Sequence, residues 1–69
     1  MSDALEFART HLEELREELA AATLSGLVDH PAYQADLQEE MAIAQAAYVV
    51  AAVTEIASFR AQLGGQQVG

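Results

Sequence analysis

The chain of 69 residues carries 11 acidic side chains against three basic ones, a formal net charge of −8 with both histidines neutral. It has no cysteine, which excludes disulfides and thiolate zinc sites. The acidic balance argues against direct nucleic-acid binding, which needs clustered Lys and Arg. A chain of this length buries only about 60% of the surface that its unfolded form exposes, so we expect its stability to depend on association.

The first predicted element is a helix over residues 3–24. Apolar side chains recur there at alternating spacings of three and four, the seam of a coiled coil. The members of this seam are Leu5, Ala8, Leu12, Leu15, Leu19 and Ala22.

Residues 25–30 are predicted to form a loop. Gly26 favours the left-handed conformation that ends many helices, and Pro31 suits the first turn of a new helix. A connection of this length favours antiparallel neighbours. The predicted fold class is therefore all-α, a single two-helix antiparallel hairpin over residues 1–63.

The second predicted helix covers residues 31–63 and is the longer of the two. No Gly or Pro interrupts it, and Gly64 and Gly65 are expected to end it, leaving 64–69 as a flexible polar tail. With the helices antiparallel, Leu19 faces Leu37 and Leu12 faces Ala44. Residues from Ile56 onward then extend past the start of the first helix.

The second helix is apolar on two faces, and the first helix can cover only one of them. Each large apolar side chain left in water forfeits about 1.5–3 kcal/mol relative to full burial, so we predict oligomerisation or docking on a protein partner. The predicted partner interface consists of Ile43, Val50, Val53, Ile56, Phe59 and Leu63.

The end of the second helix has an alternative arrangement. In it, Phe59 and Leu63 fold back onto Phe7 and Leu5 and close the end of the hairpin.

The acidic residues gather toward the loop end of the hairpin. This acidic patch consists of Glu13, Glu14, Glu17, Glu18, Asp36, Glu39 and Glu40. One interpretation is a binding site for a basic partner, or mimicry of a phosphate path. The other is a solvated face that keeps an alanine-rich hairpin soluble.

No residue pattern predicts catalysis, a cofactor or a metal. His11 and Glu14 stand at i and i+3, but the di-metal helical bundles use the order Glu-x-x-His, and the pair occurs once. No serine has a base near it, and there is no Gly-rich phosphate loop. We predict that the protein is not an enzyme.

The N-terminal segment does not look like a secretory signal, because it has acids and no Lys or Arg before Arg9. The most apolar run, Met41 to Val53, rises only ~20 Å, against a hydrocarbon core of ~30 Å. We therefore expect no membrane span, and a cytoplasmic or virion-associated protein.

Three features carry a resemblance to known hairpins: the sequence E-L-R-E-E-L at 14–19, Gly26, and H-P-A-Y-Q at 30–34. The layout resembles the small accessory hairpins of tailed bacteriophages, and it is also similar to the co-chaperone hairpins of type III secretion systems. The first resemblance implies a structural component of a virion. The density of Ala and Val over 42–53 suits a permanent interface better than a reversible clamp.

The functional hypothesis is a non-enzymatic structural or interaction protein that packs through its second helix into a homo-oligomer or larger assembly, such as a phage virion. One alternative is an acidic inhibitor, a DNA-mimic or anti-CRISPR-like protein that blocks a basic groove. Another is a small co-chaperone of a secretion system, in a soluble one-to-one complex with its client.

Overall fold

The computed structural model describes residues 3–67, with side chains over 3–64. Helix α1 spans Asp3–Ser25, a single 3-10 turn spans Leu27–Asp29, and helix α2 spans Pro31–Gln67. No strand occurs in this part of the chain, and α1 and α2 pack against one another. The predicted all-α hairpin is confirmed.

The predicted seam of α1 faces α2. Four of its members, at positions 8, 12, 15 and 22, are buried, while Leu5 and Leu19 are half-buried. The helix starts with two acids in its first turn, Asp3 and Glu6, which suit the positive end of the helix dipole. Periodicity alone therefore placed the packing face of α1 correctly.

The connection between the helices turns on Gly26, which has φ 84° and ψ 0°. Helix α1 ends one residue later than predicted, and the predicted loop contains the 3-10 turn. The amide of Asp29 donates to the carbonyl of Gly26 at 3.1 Å, and that of His30 donates to Leu27 at 3.0 Å. These bonds pair backbone groups of the connection itself and so fix the turn between α1 and α2.

Substitution of Gly26 by alanine tests this turn. A Cβ at Gly26 would meet no atom within 4 Å, so its cost is the left-handed backbone alone, about 1–2 kcal/mol. Gly64 lies in a helix with equally open surroundings, and alanine there is expected to stabilise by up to about 1 kcal/mol. Denaturation followed by circular dichroism should thus give shifts of opposite sign for Gly26→Ala and Gly64→Ala; shifts of the same sign would contradict this assignment.

Helix α2 continues to Gln67, four residues beyond the predicted end at Leu63. Gly64 and Gly65 are both helical, because glycine permits a left-handed cap without requiring one. The predicted helix end at Leu63 is therefore four residues too early, and the flexibility of the tail stays a prediction. Residues 68–69 of that tail lie outside the described residues.

The core is a thin layer between the two helices. Leu12, Leu15, Leu37 and Ala44 form one buried cluster. Half-buried side chains pack around this cluster: Leu19, Tyr33, Met41 and Tyr48. The result is a rod of 60 × 16 × 12 Å with a radius of gyration of 17.2 Å, where a compact chain of this length would have about 11 Å.

Candidate functional site

The outer surface of α2 is the most prominent candidate for function. All six residues of the predicted partner interface are exposed, with between 42% and 64% of each side chain accessible. Val49, between the two predicted faces, is exposed as well. Because the buried positions of α2 all face α1, these exposed apolar side chains lie on the rest of the helix surface, which no other element of the described chain covers.

The six residues divide into two groups along the rod. Asp3, the first residue of α1, lines the same groove as Thr54 of α2. Ile43, Val50 and Val53 therefore belong to the part of α2 that runs alongside α1. Ile56, Phe59 and Leu63 follow on the part of α2 that extends beyond α1, which we call the overhang, residues 56–67.

The fold-back alternative is not found. Helix α2 is continuous through Phe59 and Leu63, and the pocket described along the overhang is lined by α2 residues. Phe7, the proposed receiving residue, is 74% exposed. The end of the hairpin is therefore open.

A long apolar groove runs between the two helices on one side of the hairpin. It encloses about 800 Å³ and is lined mainly by small α2 side chains, with Phe7 and His11 of α1 along one edge. The rings of these two residues stack with centroids 6.2 Å apart and an interplanar angle of 19°. The α2 residues that line it are Ala44, Ala46, Ala47, Val50, Ala51 and Thr54.

The opposite side of the hairpin has a different character. A smaller groove of about 490 Å³ is lined there by Arg9, Glu13 and Arg16 of α1, facing Gln45 and Val49 of α2 among others. The two sides of the same helix pair thus differ: one is almost wholly apolar, and the other is edged with charge.

All seven acidic-patch residues are exposed, which both interpretations of the patch require. A hydrogen bond connects α1 and α2 at this end: the Tyr33 hydroxyl of α2 donates to Oε2 of Glu18 of α1 at 2.7 Å. This hydrogen bond raises the pKa of Tyr33 above its usual 10.0, and burial and the charges of Glu18 and Glu40 add to the shift. Acids from both helices therefore share this end of the rod, and the bond between Tyr33 and Glu18 was not predicted.

The described residues offer no constellation for metal or acid–base chemistry. No group of three or more His, Asp or Glu side chains within residues 3–64 is placed to hold a metal ion. His11, the candidate half-site, stacks on Phe7. No buried side-chain polar atom in this range lacks a hydrogen-bond partner.

Helix α2 is long and apolar enough to span a membrane by length and composition alone. Over Pro31–Gly64 an 18-residue window reaches a mean hydropathy of 1.5, and only 6% of that window is buried within the hairpin. The apolar run from Met41 to Val53 is thus part of a longer apolar stretch of α2, which continues past Thr54 and Glu55. The expectation that no segment spans a membrane stays a prediction.

No protein-family model, curated protein or solved structure matches the chain. The resemblance to phage and secretion hairpins consequently stands on the quoted residues alone. Function has to be inferred from the exposed surface of α2.

Proposed function

We propose that the protein is a non-enzymatic structural protein that packs through the exposed apolar surface of α2 into a larger protein assembly. The observation that carries this proposal is the exposure of Ile43, Val50, Val53, Ile56, Phe59 and Leu63 on one long helix. The resemblance to phage accessory hairpins suggests a virion as the setting.

The distribution of exposed apolar side chains supports docking rather than scattered surface exposure. Of the ten large apolar side chains that are exposed in the described chain, seven lie on α2 between residues 43 and 63. Single exposed apolar residues are ordinary, whereas contiguous apolar surface marks an interaction site. Burying even half of these side chains would contribute several kcal/mol, on the scale of about 1.5–3 kcal/mol for each full burial.

The position of α1 favours a protein partner over a lipid bilayer. Arg9, Glu13 and Arg16 lie at the same height along the rod as the most apolar part of α2. Inserting α2 into a membrane would carry these charges into hydrocarbon, at about 2.5–3.5 kcal/mol each near the centre, or detach α1 from α2 and expose its leucine seam. A protein surface can cover α2 while the charges stay in water.

The acidic patch has a supporting role in this proposal. Glu13 with Glu17 and Glu14 with Glu18 are like charges one helical turn apart, which costs a few tenths of a kcal/mol per pair. Their benefit is a hydrated, negatively charged end that resists unspecific aggregation of an alanine-rich rod.

Absolute mass in solution, measured by light scattering at low and high salt, tests the proposal. We expect a discrete multimer that persists at high salt, because apolar burial is not screened by ions whereas exposed charge contacts are. A monomer at every concentration would contradict self-assembly through α2. A multimer that dissociates at high salt would instead assign the contact to the acidic patch.

A further inference from the structure

We infer that the apolar groove is covered by a second copy of this chain, with its α2 antiparallel to the first, so that two hairpins form a four-helix bundle. This inference rests on the proposed function and specifies its partner, orientation and register. It is carried by the spacing, size and charge of the residues along one face of α2, a face that includes Ile43 and Val50 of the predicted partner interface but not Ile56, Phe59 or Leu63.

Helix α2 has a second seam beside the one that packs on α1. We call this set the α2 seam; its spacings alternate between four and three without exception, the pattern of helices that pack along their whole length. The residues of the α2 seam are Asp36, Glu40, Ile43, Ala47, Val50, Thr54, Ala57 and Ala61. Its central members line the groove or are exposed beside it.

An antiparallel pairing centred between Tyr48 and Val49 matches every member of the α2 seam with another member. Ile43 then faces Thr54 of the second copy, and Val50 faces Ala47. The outer acids at 36 and 40 face Ala61 and Ala57 in the same way. Each larger side chain meets a smaller one, as interdigitated packing requires.

The same register overlaps the two helices completely, because its centre coincides with the middle of Pro31–Gln67. The overhang of each chain would lie against the loop end of the other. Arg60, the only base on α2, then comes beside Glu39 of the second copy, since both residues flank the α2 seam on the side away from α1. Two opposite-charge pairs result, one at each end of the bundle.

The acidic patch favours an antiparallel over a parallel pairing of the two α2 helices. A parallel pairing would place Glu40 against Glu40 and set the acidic ends side by side, with no base between them. The antiparallel pairing separates the acids at 36–40 of the two chains by about 30 Å along the axis. That distance exceeds the Debye length of ~8 Å at physiological salt several times over.

Helix α1 leaves room for this partner. Leu37, Ala44 and Ala51 lie on the flank of the α2 seam that faces α1, and they are buried or half-buried there. Phe7 and His11 stand at the edge of the groove, in position to pack on the incoming helix. The second copy would thereby cover the Phe7 ring, which is 74% exposed in the lone hairpin despite its stacking on His11.

Single-cysteine variants distinguish the orientations, because the natural chain has no cysteine. Ile43→Cys and Thr54→Cys are prepared separately, checked for helicity by circular dichroism, and oxidised either alone or after unfolding and refolding together. In the antiparallel register residue 43 of one chain lies ~16 Å along the axis from residue 43 of the other, too far for a disulfide, whereas residues 43 and 54 are adjacent. We therefore expect covalent dimers only from the mixture, and each dimer should contain one Ile43→Cys chain and one Thr54→Cys chain.

Efficient disulfide formation by either variant alone would overturn the inference in favour of a parallel pair. A multimer by light scattering that forms no disulfide in any sample would overturn it in favour of another contact surface, and both of these results leave the proposed function intact. A wild-type monomer would contradict the inference and the proposed self-assembly together.

Discussion

Replacing Val50 by glutamate is expected to convert the assembled protein into helical monomers. Val50 is exposed in the single hairpin and lines its apolar groove, so a carboxylate there remains hydrated when the chain is alone. In an assembly that covers the groove, the same carboxylate would be buried without a partner, which costs about 3–5 kcal/mol. A two-fold pair would contain two such charges. The expected result is loss of the multimer in light scattering at concentrations where the wild type is fully assembled.

Gln38→Glu is the matched control for this substitution. Gln38 is also exposed on α2, it belongs neither to the α2 seam nor to the buried cluster, and the change adds the same single charge. Its mass in solution should remain that of the wild type. If Val50→Glu kept its native mass, or if Gln38→Glu dissociated the protein equally, the contact would not lie in the groove.

Truncating Leu15 to alanine should cause the largest loss of stability of any single apolar substitution in α1. Leu15 is 4% exposed and belongs to the buried cluster with Leu12, Leu37 and Ala44. Leucine-to-alanine changes at buried sites cost about 2–5 kcal/mol, and the thin core leaves few neighbours that could close the cavity. We expect Leu15→Ala to lower the melting temperature by well over ten degrees, or to leave the chain largely unfolded at 25 °C.

Leu24→Ala provides the comparison, because it removes the same atoms from the same helix at a side chain that is 91% exposed. Its effect on the free energy of unfolding should stay within about 0.5 kcal/mol. Thermal unfolding by circular dichroism, at equal protein concentrations, measures both. The melting temperature of the wild type should also rise with concentration if assembly stabilises the hairpin. Equal shifts for the two variants would mean that the leucine seam of α1 is not the core.

The fold follows from the sequence where one physical signal dominates. The leucines of α1 recur with the period of a helix and not with the alternation of a strand. Gly26 marks the end of the first helix, and Pro31 marks the start of the second. The end of α2 was predicted four residues too early, because Gly64 and Gly65 are compatible with a cap and with a continuing helix. The conformational preference of glycine is too weak to choose between the two once the preceding helix is long.

The candidate site could be predicted only in part, for a geometric reason. Periodicity identifies apolar positions such as Val50 and Val53 that α1 cannot cover. It does not reveal that Phe7 and His11 of α1 edge the same groove, since that depends on which side of α1 adjoins α2. The bond between Tyr33 and Glu18 likewise requires the distance between two side chains on different helices.

The rod form of the hairpin has a hydrodynamic consequence. A radius of gyration of 17.2 Å is that of a compact globule of about 220 residues, so one chain is already as extended as a particle three times its mass. Two rods lying side by side over their full length would double the scattering intensity at zero angle, but the particle would be no longer than a single rod. In this molecule the elution volume therefore reports mainly the length of α2, whereas forward scattering reports the number of chains.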